Sequence, residues 1–278
     1  MKTISAEIVA DSIDPRGNRI TSVLLTYPRF IHSELLTHRM FSRNSASSRA
    51  IPFERMVKMV QGDPFIPIAV QRDHKGMQGT QYLDETQYDC FKMEWLAARD
   101  SAIKHAKWLN TESFTTKQLC NRLLEPFMWH TTLCTFTESE NFFKLRMPCY
   151  ELENNQGNIE YCKSKKDWLL SYSSEVYGMN IPKTNLDWLK TNKSGAEIHI
   201  QALAEAMWDE FQESKPKLLK AGEYHLPFIE ITDIRNATGK QGIQLDIYLK
   251  RGTDVEKLVA YIKFSQSANQ KDAILVVR

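Results

Sequence analysis

The chain has 278 residues, 42% of them hydrophobic and 25% charged, with a formal net charge of +2. That composition is ordinary for a globular protein with a core, and the charge is too small for wholesale nucleic-acid binding, so any positive site is local. No apolar run approaches the roughly twenty residues of a membrane span. The five cysteines, spread from Cys90 to Cys162 with no C-x-x-C pair, make neither a disulfide framework nor a structural zinc site.

The N-terminus lacks the apolar core of a secretory signal, and a reducing cytoplasm is the expected compartment. Residues 3 to 11 alternate through Ile4, Ala6 and Ile8, and a second β-rich run covers Ile20 to Tyr27. The turn cluster Asp14-Pro-Arg-Gly-Asn18 between them predicts a hairpin. Pro28 ends the second strand, and Phe30, Ile31, Leu35, Leu36 and Met40 then follow a helical spacing. A short helix is expected from Phe53 to Val60, a loop over 61–86, and a long helix from about Thr86 to Leu109. Thr115-Thr116 caps a helix that ends near Pro126. Residues 129–136 fit either a strand or a continuing helix. A short helix spans Glu140 to Arg146, and residues 147–195 change character, as an inserted excursion would. Ile200, Leu203, Ala204, Met207, Trp208 and Phe211 form a full helical stripe. A strand over Ile243–Leu249, a helix over Asp254–Phe264 and a strand over Ala273–Val277 complete the expected elements.

The chemistry concentrates in Thr37-His-Arg-Met-Phe-Ser-Arg-Asn-Ser-Ala-Ser-Ser-Arg49, which holds three arginines and no acidic residue. Its expected form is a helix delivering His38 and Arg39 to a site and running into an anion-binding loop. Arginine forks, hydroxyls and free backbone N–H groups hold phosphate. The plainer reading is a basic, solvated helix end, or a patch that touches nucleic acid without specificity. Walker A, G-x-G-x-x-G and H-E-x-x-H sequences are absent, and no base stands beside the serines near Ser47. What remains is an oxyanion or phosphate site assembled from Arg39, Arg43, Arg49, Arg122 and Arg146, with hydroxyls from Ser45, Ser47 and Ser48.

The order of these residues resembles the R-H-R-x7-S signature of the flavin-dependent thymidylate synthases, most of all the bacteriophage-type members. Thr37-His38-Arg39 is followed by seven residues that include Asn44, then by Ser47 and Arg49. Upstream lies Pro28-x-Phe30-Ile31-x-x-Glu34-x-Leu36; downstream lie Arg122-x-x-x-Pro126, Asn141-Phe-Phe-Lys-Leu-Arg146 and Ala196-Glu-Ile-His-Ile200. Thr37 stands where the family has its first arginine, Glu34 where it has Gln, and His199 where it has Glu. The nearest string to the family's H-x-S-P-F-E-H segment is His225-Leu-Pro-Phe228.

The resemblance implies an α+β fold of the thymidylate synthase-complementing-protein type, an antiparallel sheet packed with long helices. It would be a single domain over 1–278 with an insertion at about 147–195. It implies methylation of dUMP by methylene-tetrahydrofolate, with FAD and NADPH supplying the hydride, in a homotetramer whose sites lie between subunits. Ser47, Arg49, Glu34 and Ser45 would bind the nucleotide. Arg146 and Arg122 would serve catalysis, Arg146 by stabilising negative charge on the pyrimidine. His38, Arg39, Asn44 and Asn141 would lie along the flavin, and no catalytic cysteine is required. The alternatives are a 5-hydroxymethyl pyrimidine product on the same scaffold, or a nucleotide-binding homologue without flavin catalysis.

Overall fold

The computed structural model describes residues 2–75, 79, 81–153, 157–175, 181–220, 223 and 225–228. The strands and helix expected between Ile243 and Val277 lie outside these residues. The chain opens with a hairpin, β1 (Ser5–Ile13) and β2 (Arg19–Pro28), paired antiparallel. The Asp14 carboxylate fixes its turn by accepting from the backbone N–H groups of Arg16 and Asn18, at 2.8 and 2.9 Å. Gly17 takes φ +91°, a conformation that favours glycine. The register shifts between Ile8 and Ala10, a bulge in β1.

After a 3-10 turn at Arg29–Ile31 comes α1 (His32–Leu36), which stops before His38. The expected helix reaching Arg39 is therefore shortened. The Thr37 hydroxyl donates to the Glu34 carbonyl at 2.6 Å, and the Arg43 guanidinium takes the carbonyls of Leu35 and His38 at 2.9 and 3.2 Å. Those contacts satisfy the helix end and turn the chain into β3 (Ser42–Ser45).

Next come α2 (Phe53–Gly62) and α3 (Glu85–Thr111), the latter opened by a capping box between Asp84 and Gln87. Of the 27 residues of α3, Ile103 and Ala106 are fully buried, while Trp95 and Tyr88 donate to the carbonyls of Phe65 and Pro67 in the preceding loop. Thr116 caps α4 (Lys117–Cys120), which gives way to a 3-10 segment over Asn121–Phe127 containing Pro126. Proline lacks the N–H that would continue an α-helix. Residues 129–136 form a strand, β4 (Trp129–Phe136), followed by α5 (Glu140–Arg146).

The 147–195 stretch supplies β5 (Tyr150–Glu153), β6 (Ile159–Cys162), α6 (Lys165–Glu175) and α7 (Asn185–Thr191). These elements share a small core of Tyr150, Leu152, Cys162, Trp168 and Trp188. The chain returns through α8 (Ile198–Glu213) and the two-residue β7 (Lys217–Leu218).

The main sheet runs β3-β4-β2-β1-β7. It is mixed rather than antiparallel throughout, because β7 pairs parallel with β1. The main core joins Val23, Leu25 and Tyr27 of β2 to Ile200, Leu203 and Met207 of α8 and to Phe142 and Phe143 of α5. A second core gathers α2, α3 and the 3-10 segment around Met56, Val60, Ile103 and Leu124. No helix among the described residues is long and apolar enough to cross a membrane.

Candidate functional site

Two polar clusters form around α1, one through Glu34 and one through His32. The first is centred on Arg146, the last residue of α5. Its Nε–H donates to His38 Nε2 at 3.1 Å, and its Nη1 lies 3.9 Å from Glu34 Oε2. The His38 ring is 8% exposed and packs edge-on against Phe142 with centroids 4.9 Å apart. Burial, then the charges of Arg146 and Arg43, hold its pKa below the ordinary value. The imidazole is therefore a neutral acceptor at Nε2, with its proton on Nδ1.

Burial and the charge of Glu197 push the Glu34 carboxyl up, against the pull of Arg146. Glu197 caps α8 by accepting from the N–H groups of His199 and Ile200, at 2.7 and 3.0 Å. His199, 3% exposed, accepts the Ile68 N–H at Nε2 and meets Glu197 through Nδ1. Arg146, more than a hundred residues away in sequence, thus joins Glu34 and His38.

The second cluster lies between α1 and the β2–β4 pair. The Tyr27 hydroxyl is 2.7 Å from both His32 Nδ1 and Thr132 Oγ1. The His32 and His130 rings meet edge-on at 4.6 Å, and Arg29 Nη1 donates to His130 Nε2 at 3.3 Å. Burial is the first cause that pushes His32 down to about 4 and His130 down to about 3. Burial likewise raises Tyr27 to about 12. Tyr27, His32 and His130 are therefore neutral, and the charges of Arg29 and Arg43 bear on them.

Ser45 pairs with Thr132 in the β3–β4 ladder and so shares this face, while Asn44, opposite Leu133, belongs to the other. Beyond β3 the chain is tied to the 3-10 segment. Asn121 donates from Nδ2 to the carbonyls of Ser48 and Ile51, at 2.8 and 2.9 Å, and the Ser48 hydroxyl donates to Glu125. Arg49 and Arg122 are each one residue from this tie. Arg49, Arg122 and Arg39 are exposed, and none has an acidic partner among the described residues. Ser47 and Asn141 are exposed as well.

No periodicity marks Arg29, His32, Glu125 or His130. They are single polar residues on strands and short helices, and the strand register alone brings Tyr27 opposite His130. His225 bridges the hydroxyls of Ser12 and Ser22 at 3.0 and 2.9 Å, on β1 and β2. Among the described residues, no group of His, Cys, Asp and Glu is arranged to hold a metal ion.

No protein-family model matches the chain, and no curated protein matches it. Among solved structures it is similar to a UMP/dUMP methylase, PolB from Streptomyces cacaoi, in two forms. The form bound with 5-Br UMP is 14% identical, with 77% of this chain and 90% of that chain covered and a TM-score of 0.49. The form bound with 5-Br dUMP is 13% identical, with 70% and 66% covered and a TM-score of 0.45. Likeness at this level assigns no activity to the present chain.

The expectation of a flavin-dependent thymidylate synthase is corrected on these findings. No family model carries the assignment, and the similar structures are described as a UMP/dUMP methylase. Of the residues expected along the flavin, Arg39 and Asn141 are exposed. His38 is buried and engaged by Arg146, and Asn44 lies across β3 from Ser45. FAD and NADPH are set aside with the assignment.

Proposed function

We propose that the protein binds a uridine-type nucleoside monophosphate and transfers a one-carbon unit to its C5, with methylene-tetrahydrofolate as donor. What supports this reading is the Asn121–Ser48 tie, which anchors the residues next to Arg49 and Arg122, two exposed arginines with no ion-pair partner among the described residues. A phosphate supplies the missing negative charge and accepts from both forks and from the Ser47 hydroxyl. Arg146 is the second support. Held between neutral His38 and Glu34, it can stabilise negative charge that develops on a pyrimidine carbonyl as C5 becomes nucleophilic. C5 would attack the folate methylene as its N5 iminium, whose C=N π pair returns to nitrogen as the C5 proton leaves. The carbon–N5 bond then breaks, with hydride from the tetrahydrofolate giving a methyl group and dihydrofolate, or with water giving a hydroxymethyl group. Cys134, Cys149 and Cys162 are poor nucleophiles, since burial raises their thiols. The description of PolB as a UMP/dUMP methylase is consistent with this substrate class.

Calorimetric titration with UMP and dUMP tests the reading. Each charge-assisted contact is worth about 1.5–3 kcal/mol, so Arg49→Ala and Arg122→Ala should each weaken binding about tenfold or more. Their thermal midpoints should barely move, because both side chains are exposed. Wild-type protein that binds neither nucleotide at millimolar concentration defeats the proposal. With folate present, product mass separates a methyl from a hydroxymethyl product, which is heavier by one oxygen.

A further inference from the structure

Glu125 is an anomaly in a site for an anion. Its carboxylate stands between the basic loop and the 3-10 segment that carries Arg122, where it would repel a phosphate. One oxygen accepts the hydroxyl of Ser48, which is 3% exposed, and the other lies 3.9 Å from Arg29 Nε. Arg29 in turn donates to His130 at 3.3 Å. Glu125 lies four residues after Asn121, which grips the carbonyls on both sides of Arg49. This short segment therefore fastens the loop at three points.

We infer that Glu125 is a positioning residue, fixing the 46–50 turn so that Ser47 and Arg49 meet the nucleotide phosphate. Arg29 neutralises the carboxylate, so the anchor does not repel the ligand it serves. The inference rests on the nucleotide reading above and adds two residues that the basic stretch does not contain. It separates the two jobs of the carboxylate. Accepting from Ser48 needs an oxygen, which an amide also has, whereas repelling phosphate needs the charge.

The test compares UMP with uridine, which lacks the phosphate, by calorimetry on the full chain. Glu125→Ala removes the anchor and should weaken UMP about tenfold, leaving uridine within about twofold. Glu125→Gln keeps the acceptor and loses the charge, so UMP should bind as tightly as to wild type or more tightly. Arg29→Ala leaves the carboxylate unopposed and should weaken UMP, and Glu125→Gln added to it should restore binding. Equal losses for UMP and uridine in Glu125→Ala, or equal damage from Ala and Gln, overturn the inference as a mere packing effect. Wild type that binds UMP with Glu125→Ala unimpaired overturns it alone. Wild type that binds no UMP overturns the nucleotide reading and this role together.

Discussion

Replacing His130 by Asn tests whether the second cluster is as dry and neutral as its geometry requires. His130 is 3% exposed, meets His32 at 4.6 Å and accepts from Arg29 at 3.3 Å. Protonation would bury a cation against a guanidinium, and burial, His32 and Arg29 together lower its pKa from 6.5 to about 3. The folded-state value lies below the unfolded one, so the unfolded chain binds the extra proton. Stability from this group is complete above pH 6.5 and is lost as pH falls toward about 3. Within that window the loss runs at about 1.4 kcal/mol per pH unit, or about 2.7 kcal/mol by pH 4.5. His32, lowered to about 4, acts in the same direction, and its charge contributes to the lowering of His130. Glu34, Glu205 and Asp209, raised by burial, act oppositely, but they are present in both proteins and cancel in the comparison. Urea unfolding at pH 7.5 and 4.5 should show wild type losing about 2–3 kcal/mol more than His130→Asn. A difference below about 0.5 kcal/mol refutes the buried, neutral imidazole.

Arg146→Ala should lower single-turnover carbon transfer by about a hundredfold or more, the scale of losing one preorganised charge donor. Arg146→Lys should rescue little, since a point charge cannot meet His38 and Glu34 as the fork does. Trp168, 2% exposed, stacks on Tyr172 and donates from Nε1 to the Glu151 carbonyl at 2.9 Å. Trp168→Ala should cost about 3–5 kcal/mol locally and open the 150–191 segment to proteolysis, while UMP affinity holds. Nucleotide affinity that falls in step with that cleavage would tie the small core to the site.

Local pattern was enough for much of this protein. The hairpin, α2, α3, α5 and α8 follow from hydrophobic period and punctuation, because each buries one face set by its own residues. The basic stretch was equally plain as a run of arginines and serines without an acid, and it motivates the proposed anion site. Tertiary structure decided how those charges are spent. Thr37 and Arg43 ended α1 early, because their side chains bond carbonyls that a longer helix would have used. Residues 129–136 became a strand because β2 and β3 both pair with them, contacts no local window contains. Arg43 and Arg146 are bound inside the protein, while Arg49 and Arg122 stay open to solvent. For Arg146 and the loop of Arg49 it depends on partners far away in sequence, Glu34, His38 and Asn121, whereas Arg43 is held by the nearby carbonyls of Leu35 and His38. Glu125, Arg29 and His130 gain meaning only from the distances between them, because the field of a charge follows space and not chain order.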